Sequence, residues 1–290
     1  MKKVKKAIIP VAGFGTRFLP FTKAVPKEML PIVDTPTIQL IVEELIESGV
    51  EDILFITNRN KFEIENHFDY AIELEDSLLK TGKEDIYKEI RAIADKANFF
   101  YKRQKETNGL GHAILQGKEF VGDDPFAVVL GDDIVYNPGD PAIGQLIKKF
   151  EETGTNVVGC QTVPIEEIKK YGSIDAKQLD DRTYKINFCV EKPSPEDAPS
   201  NVAILGRYVF TKEIFNHIEN TKPGVGGEIQ ITDAIDKLAK NEGVYGYIYH
   251  GKRYDAGSKI GFLQATVEYA LRNEELGQEF REYLKSLDIK

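Results

Sequence analysis

Apolar residues recur in two rhythms along this chain. Short runs at Ala7–Val11, Ile53–Thr57, Phe99–Gln104 and Phe126–Leu130 read as strands, the first of them buried. After the first of them, Ile38, Ile41, Val42, Leu45 and Ile46 recur at helix spacing. Thr35 as N-cap, Pro36 at the first helical position and Gly49 as the stop frame that helix. Strands alternating with helices predict right-handed crossovers and a mostly parallel sheet, with ligands beyond the carboxyl ends of the strands. Further on, Asn156–Val163, Thr183–Glu191 and Ala203–Phe210 are strand-like and joined by turns, so an antiparallel or mixed portion is expected to complete the sheet. Residues 62–97 read as a charged helical insertion and Ser194–Ser200 as a loop. The end is helical, with Leu276, Phe280, Tyr283, Leu284 and Leu287 in one apolar stripe. That stripe is expected to pack on its own domain, with dimerisation through it as the other reading. The fold class is therefore α/β: a Rossmann-like, mixed and mostly parallel sheet flanked by helices, with a helical C-terminus.

Composition narrows the function classes. The 290 residues are 41% hydrophobic and 29% charged, ordinary for a globular protein. The net charge of −9 argues against a nucleic-acid binder, which needs a clustered basic surface. It leaves room for a small anionic substrate, because a few local cations outweigh the global sign. Cys160 and Cys189 show neither metal-ligand spacing nor a disulfide framework, which suits a reducing cytoplasm. No apolar run is long enough for a membrane helix. Lys2, Lys3, Lys5 and Lys6 precede an apolar stretch too short for a signal peptide, and read as a solvated lead into the first strand.

The first strand runs directly into Gly13-Phe14-Gly15-Thr16-Arg17. Two glycines allow a tight turn whose N–H groups face an anion. Phe18 stands where a dinucleotide fingerprint needs its third glycine, and no stretch fits the P-loop pattern. Arg17, Lys23 and Lys27 come next, in a segment carrying Pro20, Pro26 and Pro31, which oppose a regular helix. An irregular loop holding three cations beside a ring of amides suits a triphosphate.

Ala12-Gly13-Phe14-Gly15-Thr16-Arg17, followed by Pro26-Lys27-Glu28-Met29-Leu30-Pro31-Ile32, resembles the signature of sugar-nucleotide pyrophosphorylases, and within them the bacterial uridylyl-transferring branch. Matches continue in order through Arg103–Glu106, Gly109–Ala113, Leu130–Asp133, Tyr171-Gly172, Glu191–Pro193, Gly206–Tyr208, Gly227–Gln230 and Arg253–Asp255. The resemblance implies a nucleotide-diphospho-sugar transferase fold making UDP-glucose and pyrophosphate from UTP and glucose 1-phosphate, with Mg²⁺ as cofactor. It implies one nucleotidyltransferase domain over 1–270, mainly nucleotide-binding over 1–150 and mainly sugar-binding over 151–258. Residues 271–290 would then be a helical extension, in a homodimer or homotetramer touching neither nucleic acid nor membrane.

Carried onto this sequence, the resemblance makes Asp132 and Asp255 the metal ligands. Because a strand alternates faces, only one of Asp132 and Asp133 is expected to point at a metal. It sets Arg17 and Lys27 on the leaving pyrophosphate and Lys192 on the sugar phosphate. Glu191 takes the glucose hydroxyls, as a carboxylate accepting from a vicinal pair. Gly172, Gly206 and Glu228 complete the sugar site. The base lies against Ala12, Gly13, Gln104 and Gly109, with Gly15, Thr16, Glu28 and Asp133 also at the nucleotide. Gln104 carries donor and acceptor together, matching the imide edge of uracil. His112 is read as structural, because the attacking phosphate oxygen needs no general base. Phe14, Phe21, Thr35, Thr107-Asn108 and Ser173 depart from the usual pattern, and none of them removes an implied ligand. Rival readings are the same chemistry with another base or sugar, such as thymidylyl transfer, a nucleotide-sugar-dependent glycosyltransferase, and a noncatalytic sensor. Gly131-Asp132-Asp133 favours the uridylyl branch over the thymidylyl one.

Overall fold

A computed structural model describes residues 2–288. In chain order its strands are β1 (Lys6–Pro10), β2 (Pro31–Ile32), β3 (Thr35–Pro36), β4 (Asp52–Thr57), β5 (Asn98–Arg103), β6 (Phe126–Val129) and β7 (Asp133–Tyr136). They continue with β8 (Asn156–Thr162), β9 (Gly172–Gln178), β10 (Thr183–Glu191), β11 (Val202–Phe210), β12 (Val244–Ile248) and β13 (Lys252–Asp255). The helices are α1 (Thr37–Glu47), α2 (Phe62–His67), α3 (Ile72–Lys80), α4 (Glu84–Asp95), α5 (Leu110–Leu115) and α6 (Lys118–Val121). After these come α7 (Ala142–Thr153), α8 (Glu213–Glu219), α9 (Ile231–Asn241), α10 (Lys259–Arg272) and α11 (Gly277–Ser286).

Nine strands form the main sheet in the order β5-β4-β1-β6-β11-β8-β12-β10-β9. The first four are parallel. Beyond them β11 runs antiparallel to β6 and β8, and β10 antiparallel to β12 and β9. This is the mixed second half that the turn-linked runs predict. Alternation along β1 and β4 explains why their sequences are continuously apolar. Ala7, Ile9, Ile53 and Phe55 face one core, and Ile8, Leu54 and Ile56 face the other. Residues of α1 and α7 pack into the first core, and residues of α5, α8 and α9 into the second. The insertion of residues 62–97 is helical as expected, in α2, α3 and α4.

Two expectations change. Thr35 does not cap a helix, because Thr35–Pro36 pairs with Pro31–Ile32 in a two-stranded ribbon and α1 begins only at Thr37. Thr37 instead ties the helix start back by donating to the Leu30 carbonyl at 2.8 Å. The terminal stripe is only partly covered: Tyr283 is 57% and Leu287 40% exposed. A second ribbon pairs β13 with β7 and sets Asp255 opposite Asp133. The parallel arrangement sends the loops after β1, β4, β5 and β6 out of the same edge, and the site is built there.

Candidate active site

The glycine turn forms one wall. After β1, the Val11 N–H donates to the Ile56 carbonyl at 2.9 Å and the Ala12 carbonyl accepts from Asn58 Nδ2 at 2.7 Å. Gly15 has φ 67°, and a Cβ there would meet Lys27 at 3.2 Å. The prolines divide the loop beyond Gly15 into three short 3₁₀ turns, Thr16–Phe18, Phe21–Lys23 and Lys27–Met29. Space above Gly13 is open: a Cβ there would meet nothing within 4 Å. Arg17 crosses the cleft and donates to the Gly257 carbonyl at 3.3 Å.

Opposite the turn, Asp132 leaves the end of β6 and forms an ion pair with Lys27. A Cβ at Gly257 would lie 2.5 Å from Asp132 Oδ2 and 3.1 Å from Asp255 Oδ1, so the two carboxylates converge on the space this glycine leaves. Burial opposes ionisation of Asp132, but Lys27, Arg17 and Lys61 outweigh it and hold the carboxyl below its usual range. Burial raises the Asp255 carboxyl, and Asp132 and Asp133 add to that, against Arg253 and Arg17. Two converging hard oxygen donors, one of them uncomfortable as an anion, fit a Mg²⁺-type cation that takes one or two protein carboxylates.

Asp133 takes the other direction. Its Oδ1 lies 2.8 Å from Arg253 Nε, and a Cβ on Gly206 would meet its Oδ2 at 2.3 Å. Arg207, fully buried, stands 3.9 Å from Asp133 and is held by both carboxylate oxygens of Glu44, at 3.1 and 2.6 Å. Arg253 also donates to Tyr171 Oη at 3.2 Å. Asp133, expected at the nucleotide, thus spends its carboxylate on two arginines in the cleft wall. Glu28 is likewise withdrawn: it is 1% exposed and paired with Lys61 at 2.6 Å. Burial pushes its carboxyl up and the Lys61 ammonium down, each against the pull of the other. It underpins Lys27 without lining the cleft.

The sugar-side wall comes from the second half of the sheet. Glu191 ends β10, and Lys192 has φ 47°, a left-handed conformation that turns the chain there. That turn splays neighbouring side chains that an extended strand would send to opposite faces, and Lys192 Nζ stands 3.3 Å from Glu191 Oε1. Thr232, at the start of α9, donates to Glu191 Oε2 at 2.6 Å. Gly172 is required beside them, since a Cβ would meet Thr232 Oγ1 at 2.8 Å. A cavity of about 550 Å³ gathers Arg17, Asp132, Glu191, Lys192, Glu228 and Asp255, with Gly172 and Gly206 in its floor.

A second cavity, of about 470 Å³, opens at the ends of β4 and β5 around Gln104 and Phe14. Arg59, Arg103 and Lys105 line it, and among the described residues none of them has a carboxylate partner. Gly109, φ 94°, closes this side, and a Cβ there would meet Glu228 Cβ at 2.7 Å. Hydrogen bonds of 2.9 Å from Ile229 N to Asn108 O and from Gly111 N to Ile229 O stitch the two walls together. Lys23 is exposed and lines neither cavity. Sequence reasoning missed Lys61, Arg207 and Thr232. Arg207 falls inside the Gly206–Tyr208 match without a role there, nothing local marks Lys61 or Thr232, and each of the three acts through a partner at least 33 positions away.

A glycine turn with cations, facing paired carboxylates across one cleft of an α/β sheet, is the apparatus of nucleotidyl transfer. The chain belongs to the nucleotidyl transferase family, whose model matches residues 6–272. It is 52% identical over 289 residues to a UTP–glucose-1-phosphate uridylyltransferase of Staphylococcus epidermidis, covering 100% of both chains. Among solved structures it is similar to a UDP-glucose pyrophosphorylase complexed with UDP-glucose, with TM-score 0.86 and 45% identity over 93% of this chain and 100% of that one. It is also similar to a UTP-bound UGPase of Acinetobacter baumannii, with TM-score 0.91 and 38% identity over 98% of this chain and 100% of that one.

Proposed function

We propose that this chain catalyses UTP + α-D-glucose 1-phosphate ⇌ UDP-glucose + pyrophosphate. The observation that carries the reading is the single cavity in which Arg17 and Asp132, itself paired with Lys27, face Glu191 and Lys192. A phosphate oxygen of the sugar attacks the α-phosphorus in line, a new P–O bond forms, and the bond to the bridging oxygen of pyrophosphate breaks. Arg17 and Lys27 take up charge on the departing pyrophosphate, while Lys192 holds the attacking phosphate as a point charge. Glu191, steadied by Thr232, accepts from vicinal glucose hydroxyls. Gly13 and Gly15 let backbone N–H groups approach the nucleotide, and Gln104 with Gly109 receives the base. Asp132 and Asp255 would hold Mg²⁺, which when bound spreads the negative charge of the phosphates. The chain's part is orientation and electrostatics, with no covalent intermediate.

Residues 1–270 act as one catalytic domain, and the half-open stripe on α11 supports association of copies as a dimer or tetramer. Two unpaired, buried cysteines support a cytoplasmic setting, and among the described residues no helix is long and apolar enough to cross a membrane. The test is to supply Mg²⁺, glucose 1-phosphate and each nucleoside triphosphate separately, and to quantify pyrophosphate. UTP is expected to give the largest release, and none above background with UTP sinks the reading.

A further inference from the structure

Gln104 is 6% exposed, so the way its amide faces is fixed by its protein partners. Its Nε2 stands 2.9 Å from His112 Nδ1 and 3.4 Å from the Gly109 carbonyl. An amide nitrogen carries two N–H groups, and both are thereby directed at protein acceptors. Turning the amide over would set its oxygen against the Gly109 carbonyl oxygen. The other ring nitrogen of His112 faces Gln116, whose Nε2 lies 3.2 Å away. A neutral imidazole has one accepting nitrogen. Gln116 Nε2 also lies 3.2 Å from the His112 carbonyl, but Gln116 is half-buried and can trade that contact to present its oxygen to an Nε2–H, whereas Gln104 is enclosed and needs the Nδ1 acceptor. The Nδ1 of His112 therefore accepts from Gln104, and only Gln104 Oε1 is left for a ligand.

We infer that His112 is a positioning residue for base selection: by occupying an amide N–H of Gln104, it makes that side chain a pure acceptor toward the base, selecting uracil over cytosine. The inference rests on the proposal that the base docks at Gln104. Uracil presents an N3–H to this oxygen, and cytosine presents an unprotonated N3, lone pair against lone pair. A site built to receive a donor rejects the analogue lacking it, because a buried polar group is then left unpaired. Without His112 only the longer contact to Gly109 holds the amide, and both orientations become accessible. Gln104 then accommodates either pyrimidine.

The experiment compares kcat/KM for UTP and CTP in the wild type, H112N, H112Q and H112L, each checked first by thermal melting. Asn places an oxygen where Nδ1 stands, so H112N is expected to keep the wild-type UTP:CTP ratio within about threefold. In H112L the ratio is expected to fall by roughly tenfold or more, chiefly through better use of CTP. Should H112L fail to fold, H112Q supplies the contrast: its amide reaches toward the Nε2 position, leaves Gln104 unheld and gives the lowered ratio. Equal ratios in H112N and in the folded Leu or Gln variant, whether all retained or all lost, overturn the inference. A wild type that releases no pyrophosphate from UTP overturns the proposed activity instead. A wild type selective for UTP whose ratio ignores residue 112 overturns this inference alone.

Discussion

Asp132 and Asp133 are neighbours in the chain, yet they anchor two ionic clusters of opposite design. Around Asp133 the charges are enclosed and matched: Glu44, Arg207, Asp133 and Arg253 form a chain of contacts running from the core to the cleft wall. Around Asp132 they are half-open and unmatched. Lys27 takes one oxygen, and Asp255 brings a second carboxylate toward the same space. The closed cluster ties β7, β11 and β13 together, whereas the open one leaves carboxylate oxygens facing the cleft. Buried ion pairs are weak evidence of net stability, but breaking one leaves a charge stranded. Burial and matched charge mark the scaffold here, although among the described residues Asp133 Oδ1 accepts and Arg207 Nη1 donates no hydrogen bond, and partial exposure marks the cleft cluster.

Three substitutions probe this division, from the largest expected effect to the smallest. Asp132→Asn is expected to lower pyrophosphate release roughly a thousandfold or more in excess Mg²⁺ while the protein stays folded. Near-native turnover would move the chemistry away from the open cluster. Arg207→Met strands the buried Glu44 carboxylate, leaving Asp133 to Arg253 alone, and is expected to cost about 3–5 kcal/mol in urea unfolding. A loss under about 1 kcal/mol would mean that this network is not what spaces the strands. Asp255→Asn should do the reverse, ending turnover while raising the melting temperature of the metal-free protein by a few degrees. Its folded carboxyl titrates above the unfolded one, so the charged form costs stability, increasingly as pH rises from the unfolded value through the raised one. The gain should therefore be present at neutral pH and vanish in acid. A lower melting temperature at neutral pH would show that Asp255 is satisfied without a cation.

Much of the fold could be read along the chain because β1, β4 and β6 are buried on both faces, which makes their sequences continuously apolar. β9 and β13 could not, since Gly172–Gln178 and Lys252–Asp255 are polar and are strands only through their partners. Thr35 misled because Ser/Thr before an apolar period serves a cap and a ribbon equally well. At the site, the glycine turn, the Asp pair and Glu191-Lys192 stood out because their chemistry is local. Glu28 shows the limit: as a sequence neighbour of Lys27 it looks like a ligand, and only Lys61, folded over it from α2's threshold, makes it a buried support. Gln104 stood out in the sequence as an amide that could match a base edge, but its donors are directed at residues five and eight positions away, a fact that only the folded turn displays.

The cations left without carboxylates have a consequence for kinetics. Arg17 lines the first cavity and Arg59, Arg103 and Lys105 the second, in a molecule whose net charge is −9, while many other basic side chains are paired with acidic neighbours. Locally these cations outweigh the acidic global sign and favour an anion at the cleft. Within a Debye length of about 8–10 Å this turns random encounters into oriented ones. Such a local positive field favours the approach of a small anion, and it weakens as ionic strength rises.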